Sequence, residues 1–93
     1  KSSGVAWTID YALSARKPME RLDPMVRRRI RAFLSEWVAT LDDPRQLGGP
    51  LQGARLGGLW RYRVGDYRIL VEIKDEIVTV LVIGIGHRGE VYR

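Results

Sequence analysis

Patterns typical of β-strands occur in four stretches of this chain, one near its start and three near its end, and in the first three hydrophobic and polar residues alternate with a period of two. Such alternation predicts half-buried β-strands, because successive side chains of a strand point to opposite faces. The predicted strands are Val5 to Tyr11, Leu59 to Val64, Tyr67 to Lys74 and Ile77 to Ile83. The last is apolar on both parities, which predicts a central strand that ends at Gly84 and Gly86.

Two helices are predicted between the first and second strands. Ala12 to Arg21 has a helical composition but contains Pro18, so a short or broken helix is expected. Asp23-Pro24 then provides an N-cap followed by proline at the first helical position. Apolar residues recur after it at helical spacing, which predicts a long amphipathic helix to about Leu41. Residues 42–58 are expected to form a long connection, a type of segment that is often functional.

Together these elements predict an α+β fold, with two helices from the N-terminal half packed on one face of a small, four-stranded, mainly antiparallel sheet. Residues 1–93 suit a single domain, in which residues 1–4 are expected to be a cloning remnant or a flexible lead-in. No stretch approaches the roughly 18 apolar residues of a membrane span. We therefore expect no membrane partner and a cytoplasmic location, which the absence of cysteine also fits.

The turn between the second and third strands sets the register of a hairpin. Gly65-Asp66 is a two-residue connection with glycine first, which favours a type II′ turn. It predicts the cross-strand pairs 64 with 67, 63 with 68, 62 with 69, 61 with 70 and 60 with 71. The core face would then carry Trp60, Tyr62, Val64, Tyr67, Ile69, Val71 and Ile73. Arg61, Arg63 and Arg68 would share the other face.

Positive charge dominates the composition. Sixteen Lys and Arg residues, most of them Arg, exceed eleven Asp and Glu residues and give a net charge of +5. The predicted register opposes Arg63 to Arg68, and like charges in such positions cost up to about 1 kcal/mol. A polyanion bound on this face would offset that cost, whereas Glu72 and Asp66 could instead neutralise it as surface ion pairs. The excess of guanidinium groups favours an anion site.

Other arginines are candidates for RNA contact. Arg27, Arg28 and Arg31 fall on the polar face of the long predicted helix, and Arg45 and Arg55 lie in the connection after it. A basic domain of this kind is typical of nucleic-acid binding. The same pattern also suits the solvated side of an ordinary amphipathic helix.

His87, Arg88 and Tyr92 follow the last predicted strand within a few residues of one another. Cleavage of a phosphodiester through the ribose 2′-hydroxyl needs a proton acceptor, cations near the phosphorus and a proton donor for the leaving oxygen. These residue types can supply all three. Alternatively, His87 is a surface histidine and Tyr92 caps the core. The single histidine and the absence of cysteine predict no metal site, and no cofactor is expected.

The hairpin residues 60–69, together with the segment Gly86-His87-Arg88-Gly89-Glu90-Val91-Tyr92, resemble the RelE/ParE superfamily of toxins from bacterial type II toxin–antitoxin modules. The similarity extends over almost the whole chain, including Trp7-Thr8-Ile9 and Leu51-Gln52-Gly53. The terminal His-Arg-x-Glu-Val-Tyr pattern is more typical of the RNA-cleaving RelE branch than of the gyrase-inhibiting ParE branch.

The resemblance implies a ribosome-dependent mRNA endoribonuclease that cleaves in the A site without metal. The catalytic residues it implies are Arg61, Arg63, Arg68, His87, Arg88 and Tyr92. Implied partners are a RelB-like antitoxin, the ribosome and mRNA, with operator DNA bound through the antitoxin in a hetero-oligomer. The alternative is a ParE-like inhibitor of DNA gyrase that acts by binding alone. The best-known relatives have lysines where this chain has Arg61 and Arg63, and a guanidinium is a poor general base. The identity of the base is therefore open, with His87 the better candidate and proton transfer expected from His87 or Tyr92.

Overall fold

A computed structural model describes residues 6–51 and 59–87. Its helices and strands are β1 (Thr8–Tyr11), α1 (Leu13–Arg21), α2 (Pro24–Ala32), β2 (Gly49–Pro50), β3 (Leu59–Val64), β4 (Tyr67–Lys74) and β5 (Thr79–His87). The strands form one sheet in the order β1-β5-β4-β3-β2. β1 runs parallel to β5, and every other neighbouring pair is antiparallel.

The expected α+β architecture is confirmed, but the expected sheet of four strands is wrong. The described residues form five strands in a mixed sheet, and the additional strand is β2. It consists of two residues, Gly49 and Pro50, which pair with Arg61 and Trp60 of β3. A pair of residues this short shows no alternation, so periodicity in the sequence gives no sign of it.

The helices begin as predicted and end differently. Pro18 lies inside α1, which is short but unbroken. At the start of α2, the Asp23 side chain accepts a hydrogen bond from the Met25 backbone N–H at 3.3 Å and so caps the helix. After Ala32 the chain continues in a π-helical segment, Phe33–Val38, instead of reaching Leu41 as an α-helix.

The π-helical segment changes which side chains reach the core. The Ala39 backbone N–H donates to the Leu34 carbonyl, five residues back, at 2.8 Å. This wider turn rotates later residues away from the positions that regular helical spacing predicts. Leu34 and Val38 are fully buried, whereas Trp37, one of the apolar residues that recur at helical spacing after Pro24, is 63% exposed.

The hydrophobic core lies between the helices and one face of the sheet. Its buried members from the helical half are Ala15, Met19, Ile30, Leu34 and Val38, and those from the sheet are Tyr62, Val64, Ile69, Val71, Ile73, Val80 and Val82. We call this side of the sheet the helix face and the opposite side the open face. Among the described residues, no helix is both long and apolar enough to cross a membrane.

The β3–β4 hairpin has the predicted register, with each of the five expected pairs present. Gly65 has a φ of +59°, and Val78 is the single non-glycine residue with positive φ in the described part of the chain. Positive φ at the first central residue alone fits a type II′ turn and excludes type I′. The alternation therefore places Arg61, Arg63 and Arg68 together on the open face.

β5 continues beyond the expected end of the strand at Gly84 and reaches His87. Its pairing with β4 contains a bulge. Leu70 pairs with Gly84 but the next residue, Val71, pairs with Val82, which leaves Ile83 without a partner on β4. The Ser14 hydroxyl of α1 donates a 2.6 Å hydrogen bond to the carbonyl of Ile83. Because a bulge inserts one residue, it exchanges the faces of all residues that follow it on β5.

Candidate RNA-binding face

The candidate site is built on the hairpin, where β3 and β4 approach the turn. Arg63 and Arg68 are directly paired across the strands, and Arg61 pairs with Leu70 one step further from the turn. In a two-residue hairpin the 63–68 pair is not hydrogen-bonded, and such pairs bring the two Cα atoms to about 4.5 Å. We call Arg61, Arg63 and Arg68 the arginine trio.

Glu72, one of the two carboxylates that the alternative interpretation assigns to this face, is paired with another residue. Glu72 forms its ion pair with Lys74, at 3.7 Å between Nζ and Oε2. Arg61 and Arg63 have no ion-pair partner among residues 6–51 and 59–87. An excess of positive charge therefore remains on the open face, where phosphate oxygens could accept from the forked guanidinium donors.

His87 lies on the opposite face of the sheet from the arginine trio. It pairs with Tyr67, a helix-face residue, and the two rings meet edge to face with 5.1 Å between centroids. The bulge at Ile83 causes this placement. Without it, alternation from the buried Val80 and Val82 would place the odd-numbered His87 on the open face. A pocket of about 440 Å³ beside His87 is lined by Pro18, Arg21, Leu22, Tyr67, Ile85 and Gly86.

Two of the helix arginines predicted to contact RNA instead contact other groups of the protein. Arg27 Nη1 lies 3.3 to 3.4 Å from the carbonyl oxygens of Met19, Glu20 and Leu22, at the end of α1. The Arg31 guanidinium lies over the Tyr11 ring, 5.2 Å from its centroid. Burial raises the pKa of Tyr11, and the positive charge of Arg31 opposes that rise. Arg28 is exposed on the outer side of α2.

Arg45 is also occupied. Its guanidinium makes two hydrogen bonds to the Asp75 carboxylate, at 2.8 and 3.1 Å, and lies 3.3 Å from Asp43. The bond from Arg45 lowers the pKa of Asp75. Arg45 thus connects the 3-10 turn at Pro44–Gln46 to the turn that follows β4, which is a structural role.

Arg29 is the residue that the sequence reasoning missed. A Cβ built on Gly65 would lie 3.3 Å from Arg29 Nη1 and 3.4 Å from its Cζ, so this guanidinium covers the tip of the hairpin. Arg29 is exposed and makes no ion pair with another described residue. It lies next to Arg28 in a run of three arginines, and no signal in the sequence indicates which of them meets the turn.

Three of the predicted site residues, Arg55, Arg88 and Tyr92, lie outside the described residues. Within the described ranges, no group of three His, Cys, Asp or Glu side chains is close enough to hold a metal ion. The described part of the site is therefore a cationic surface formed by the arginine trio, with Arg29 at its end.

A family profile described as the ParE toxin of type II toxin–antitoxin systems matches residues 9–92. The chain belongs to this toxin family.

Curated relatives of this toxin carry RelE-type names. It is 30% identical over 87 residues to Toxin RelG of Mycobacterium tuberculosis, a match that covers 94% of this chain and 97% of RelG. It is 31% identical over 90 residues to the mRNA interferase toxin RelE of Escherichia coli K12, covering 95% of this chain and 92% of RelE. These matches confirm the resemblance to the RelE/ParE superfamily and support the RelE-like branch.

The fold agrees with this assignment. A chain in the crystal structure of the toxin–antitoxin complex RelBE2 from Mycobacterium tuberculosis superposes with a TM-score of 0.82 and 28% identity, over 97% of this chain and 100% of that chain. The protein is therefore a RelE-like toxin of a type II toxin–antitoxin system.

Proposed function

We propose that this toxin is a ribosome-dependent endoribonuclease that cleaves mRNA in the A site. The observation that carries the proposal is the arginine trio, in which paired strands hold three guanidinium groups on one open face. Such a face suits the sugar-phosphate backbone of RNA, because each guanidinium can donate two parallel hydrogen bonds to phosphate oxygens. The proposal is also supported by a curated relative named an mRNA interferase toxin.

The proposed reaction is an attack of the ribose 2′-oxygen on the adjacent phosphorus. A base removes the 2′-hydroxyl proton, a 2′-O–P bond forms, the P–5′-O bond breaks, and a proton passes to the departing 5′-oxygen. The products are a 2′,3′-cyclic phosphate and a 5′-hydroxyl. Arg61, Arg63 and Arg68 orient the phosphate and stabilise the negative charge that develops on its oxygens, which needs no metal.

We assign proton transfer to Tyr92 rather than to His87, and charge stabilisation to Arg88 alongside the arginine trio. His87 lies on the helix face with its ring against Tyr67, so the sheet separates it from a phosphate bound on the open face. Tyr92 then remains from the pair of proton-transfer residues that the family resemblance implies. In this scheme Arg28 and Arg29 contact RNA phosphates, whereas Arg27, Arg31 and Arg45 act within the fold.

The partner that restrains the toxin is proposed to be a RelB-like antitoxin. The structural relative from Mycobacterium tuberculosis is a RelBE2 toxin–antitoxin complex. An acidic antitoxin segment that covers the arginine trio would block RNA and neutralise the like charges there. The same complex would bind operator DNA through the antitoxin.

The test uses purified 70S ribosomes programmed with a defined mRNA and a toxin preparation dialysed against chelator. We expect cuts within the A-site codon, mapped by primer extension, and products ending in 2′,3′-cyclic phosphate. Tyr92→Phe should reduce the cleavage rate, whereas His87→Ala should leave it within about threefold, since a surface substitution away from a site has little effect. Intact mRNA in the wild-type reaction would refute the proposal.

A second candidate function is inhibition of DNA gyrase, favoured by one specific observation: the family profile that matches residues 9–92 is the one described for the ParE toxin. A supercoiling assay with purified gyrase separates the two functions. Inhibition together with intact ribosomal mRNA would establish the gyrase inhibitor. If the protein neither cleaves mRNA nor inhibits supercoiling, it would be an inactive member of the family that acts through antitoxin or operator binding.

A further inference from the structure

A pocket of about 410 Å³ opens beside the arginine trio, at the edge of β3 where the two-residue β2 ends. It is lined by Phe33, Leu47, Gly48, Gly49, Arg61, Tyr62 and Arg63. Two arginines of the trio therefore belong both to the open face and to the wall of this pocket. A phosphate held by Arg61 and Arg63 would leave the adjoining part of its nucleotide at the pocket entrance.

The walls of this pocket are fixed by contacts within the protein. The Trp60 indole N–H donates to the Leu47 carbonyl at 2.6 Å, and the buried Tyr62 hydroxyl donates to the Pro44 carbonyl at 2.7 Å. Gly48 has a φ of +75°, and a Cβ there would overlap the carbonyl oxygen of Arg61. The pocket thus has its shape before any ligand arrives, which lowers the entropy cost of binding.

Aromatic and backbone groups in the pocket match the surface of a nucleobase. The partly buried Phe33 ring packs edge to face on the buried Tyr62, with 5.8 Å between centroids, and supplies an apolar aromatic wall. β2 pairs with only Trp60 and Arg61, so the strand edge is open at Arg63. In an antiparallel pair, every second residue of a strand directs its N–H and C=O away from the partner strand. On β3 these are the odd-numbered residues, because the Leu59 carbonyl accepts from the Leu51 N–H on the β2 side. The Arg63 N–H and C=O therefore point outward at this edge.

We propose that this pocket binds one base of the RNA whose backbone the arginine trio holds, and that it selects the sequence that is cut. The proposal rests on the proposed function and names its specificity pocket. Recognition of a single-stranded base commonly combines an aromatic or apolar wall with hydrogen bonds to the base edge. Here the Phe33 ring, the outward N–H and C=O of Arg63 and two arginines of the trio line a single cavity.

Gly49 allows this pocket to be filled without disturbing the fold. A Cβ at Gly49 would meet no other atom within 4 Å. Because Gly49 lines the pocket and pairs with Arg61, a larger side chain there would narrow the pocket from the side of Arg61. Pro50→Leu is the matched control, because Pro50 is exposed on the same short strand and does not line the pocket. Gly49→Ala is the smaller companion of Gly49→Leu, and thermal unfolding verifies that all three variants fold.

The experiment sequences the cut ends of a ribosome-bound mRNA library for the wild type and these variants. Gly49→Leu should lower kcat/KM at the preferred sequences by about tenfold or more and alter or flatten the preference, because a misfit of a few methylenes in a specificity pocket has an effect of this size. Gly49→Ala should have a smaller effect in the same direction. Pro50→Leu should preserve both rate and preference.

Binding of fluorescent single-stranded oligomers of A, C, G and U provides a readout that does not depend on cleavage. The wild type should discriminate among the four oligomers, and Gly49→Leu should not, even if the wild type proves to have no nuclease activity. An equal loss of cleavage at all sequences, unchanged cleavage, or equal affinity of the wild type for all four oligomers would overturn the proposal. Loss of antitoxin binding with unaltered RNA selection would assign the pocket to a protein partner and equally overturn it.

Discussion

Two arginines of α2, Arg27 and Arg31, contrast with the arginines of the open face, because the first two contact groups of the protein itself. Arg27 approaches three carbonyl oxygens at the end of α1, and Arg31 covers the Tyr11 ring. Arg61 and Arg63 make no ion pair with any described residue and stand near Arg68 on a strand pair. Arginines of the first region hold elements of the fold together, and those of the second are arranged for a ligand.

The difference shows how one residue type can serve two purposes in a small basic protein. A guanidinium with protein acceptors around it stabilises the fold and offers little to a partner. The pairing of Arg63 with Arg68 instead costs the folded state up to about 1 kcal/mol through like-charge repulsion. A local cost of this kind is typical of functional sites, where a bound anion would offset it. Substitutions on the open face should therefore lower activity with little loss of stability, whereas substitution of an arginine that contacts groups of the protein should lower stability with little loss of activity.

The largest expected effect is on cleavage, from Arg63→Ala or Arg68→Ala. Each should reduce kcat for ribosome-bound mRNA by about 10²–10³-fold, the usual result of removing one positioned stabiliser of developing charge. For Arg63→Ala the free energy of unfolding in urea should be unchanged or slightly raised, since Arg63 makes no ion pair with a described residue and a repulsive pair is relieved. Equal cleavage rates in wild type and both variants would remove the arginine trio from the site.

Arg27→Ala should show the reverse pattern. Removal of its guanidinium leaves the carbonyls at the end of α1 without this donor and should lower the free energy of unfolding by about 1–2 kcal/mol. Cleavage measured well below the melting temperature should be close to that of the wild type. Arg28→Ala, at an exposed position of the same helix, is the control for stability. If Arg27→Ala proves as stable as the wild type but slow in cleavage, Arg27 belongs with the arginines that bind RNA.

Arg29→Ala should have a moderate effect confined to RNA binding. If Arg29 contacts a phosphate at the hairpin tip, its loss should raise KM several-fold with little change in kcat, and should reduce the slope of log affinity against log salt by about 0.7 for single-stranded RNA. Lys17→Ala removes one charge from the exposed side of α1 and serves as the matched control. Equal salt slopes for the two variants would restrict the RNA-binding face to the arginine trio.

The smallest expected effect concerns acid stability at the Arg45–Asp75 pair. The hydrogen bond from Arg45 lowers the pKa of Asp75 below its ordinary value of 3.8, so the unfolded chain takes up this proton at a higher pH than the folded protein. The pair thus stabilises the fold above about pH 4, and this stability is lost as the pH falls through the lower folded-state value.

Asp75→Asn removes this pH dependence. Urea denaturation should show the wild type more stable than the variant at pH 7, with a small difference that shrinks between pH 4 and pH 3. A difference that stays constant over this range would mean that Asp75 does not titrate with the pair. Glu76→Gln, at the adjacent exposed carboxylate, is the control.

Much of the hairpin could be predicted because its determinants are local. A two-residue turn with glycine first fixes the register, and alternation then assigns every side chain of β3 and β4 to a face. The N-cap at Asp23 was predictable for the same reason. β2 was not, since its two residues pair only because Gly48 brings the chain close to Arg61.

The candidate site was predictable in part. Its arginine trio follows from the hairpin register, but the contribution of Arg29 depends on how α2 packs over the turn. The occupation of Arg45 by Asp75 likewise joins two turns that lie 30 residues apart in the sequence. Contacts of this kind leave no periodic signal in the sequence, because they depend on how helices, strands and turns pack against one another.

By itself, the amino-acid sequence determined the hairpin, its two faces and the concentration of positive charge on one of them, because turn chemistry and side-chain alternation act between neighbouring residues. The tertiary structure alone decided the face on which His87 lies. Its position depends on the bulge at Ile83, where pairing of β5 with β4 shifts by one residue and Ser14 of α1 donates to the Ile83 carbonyl. A single extra residue reverses the parity of a strand, and its location is set by the elements packed around that strand.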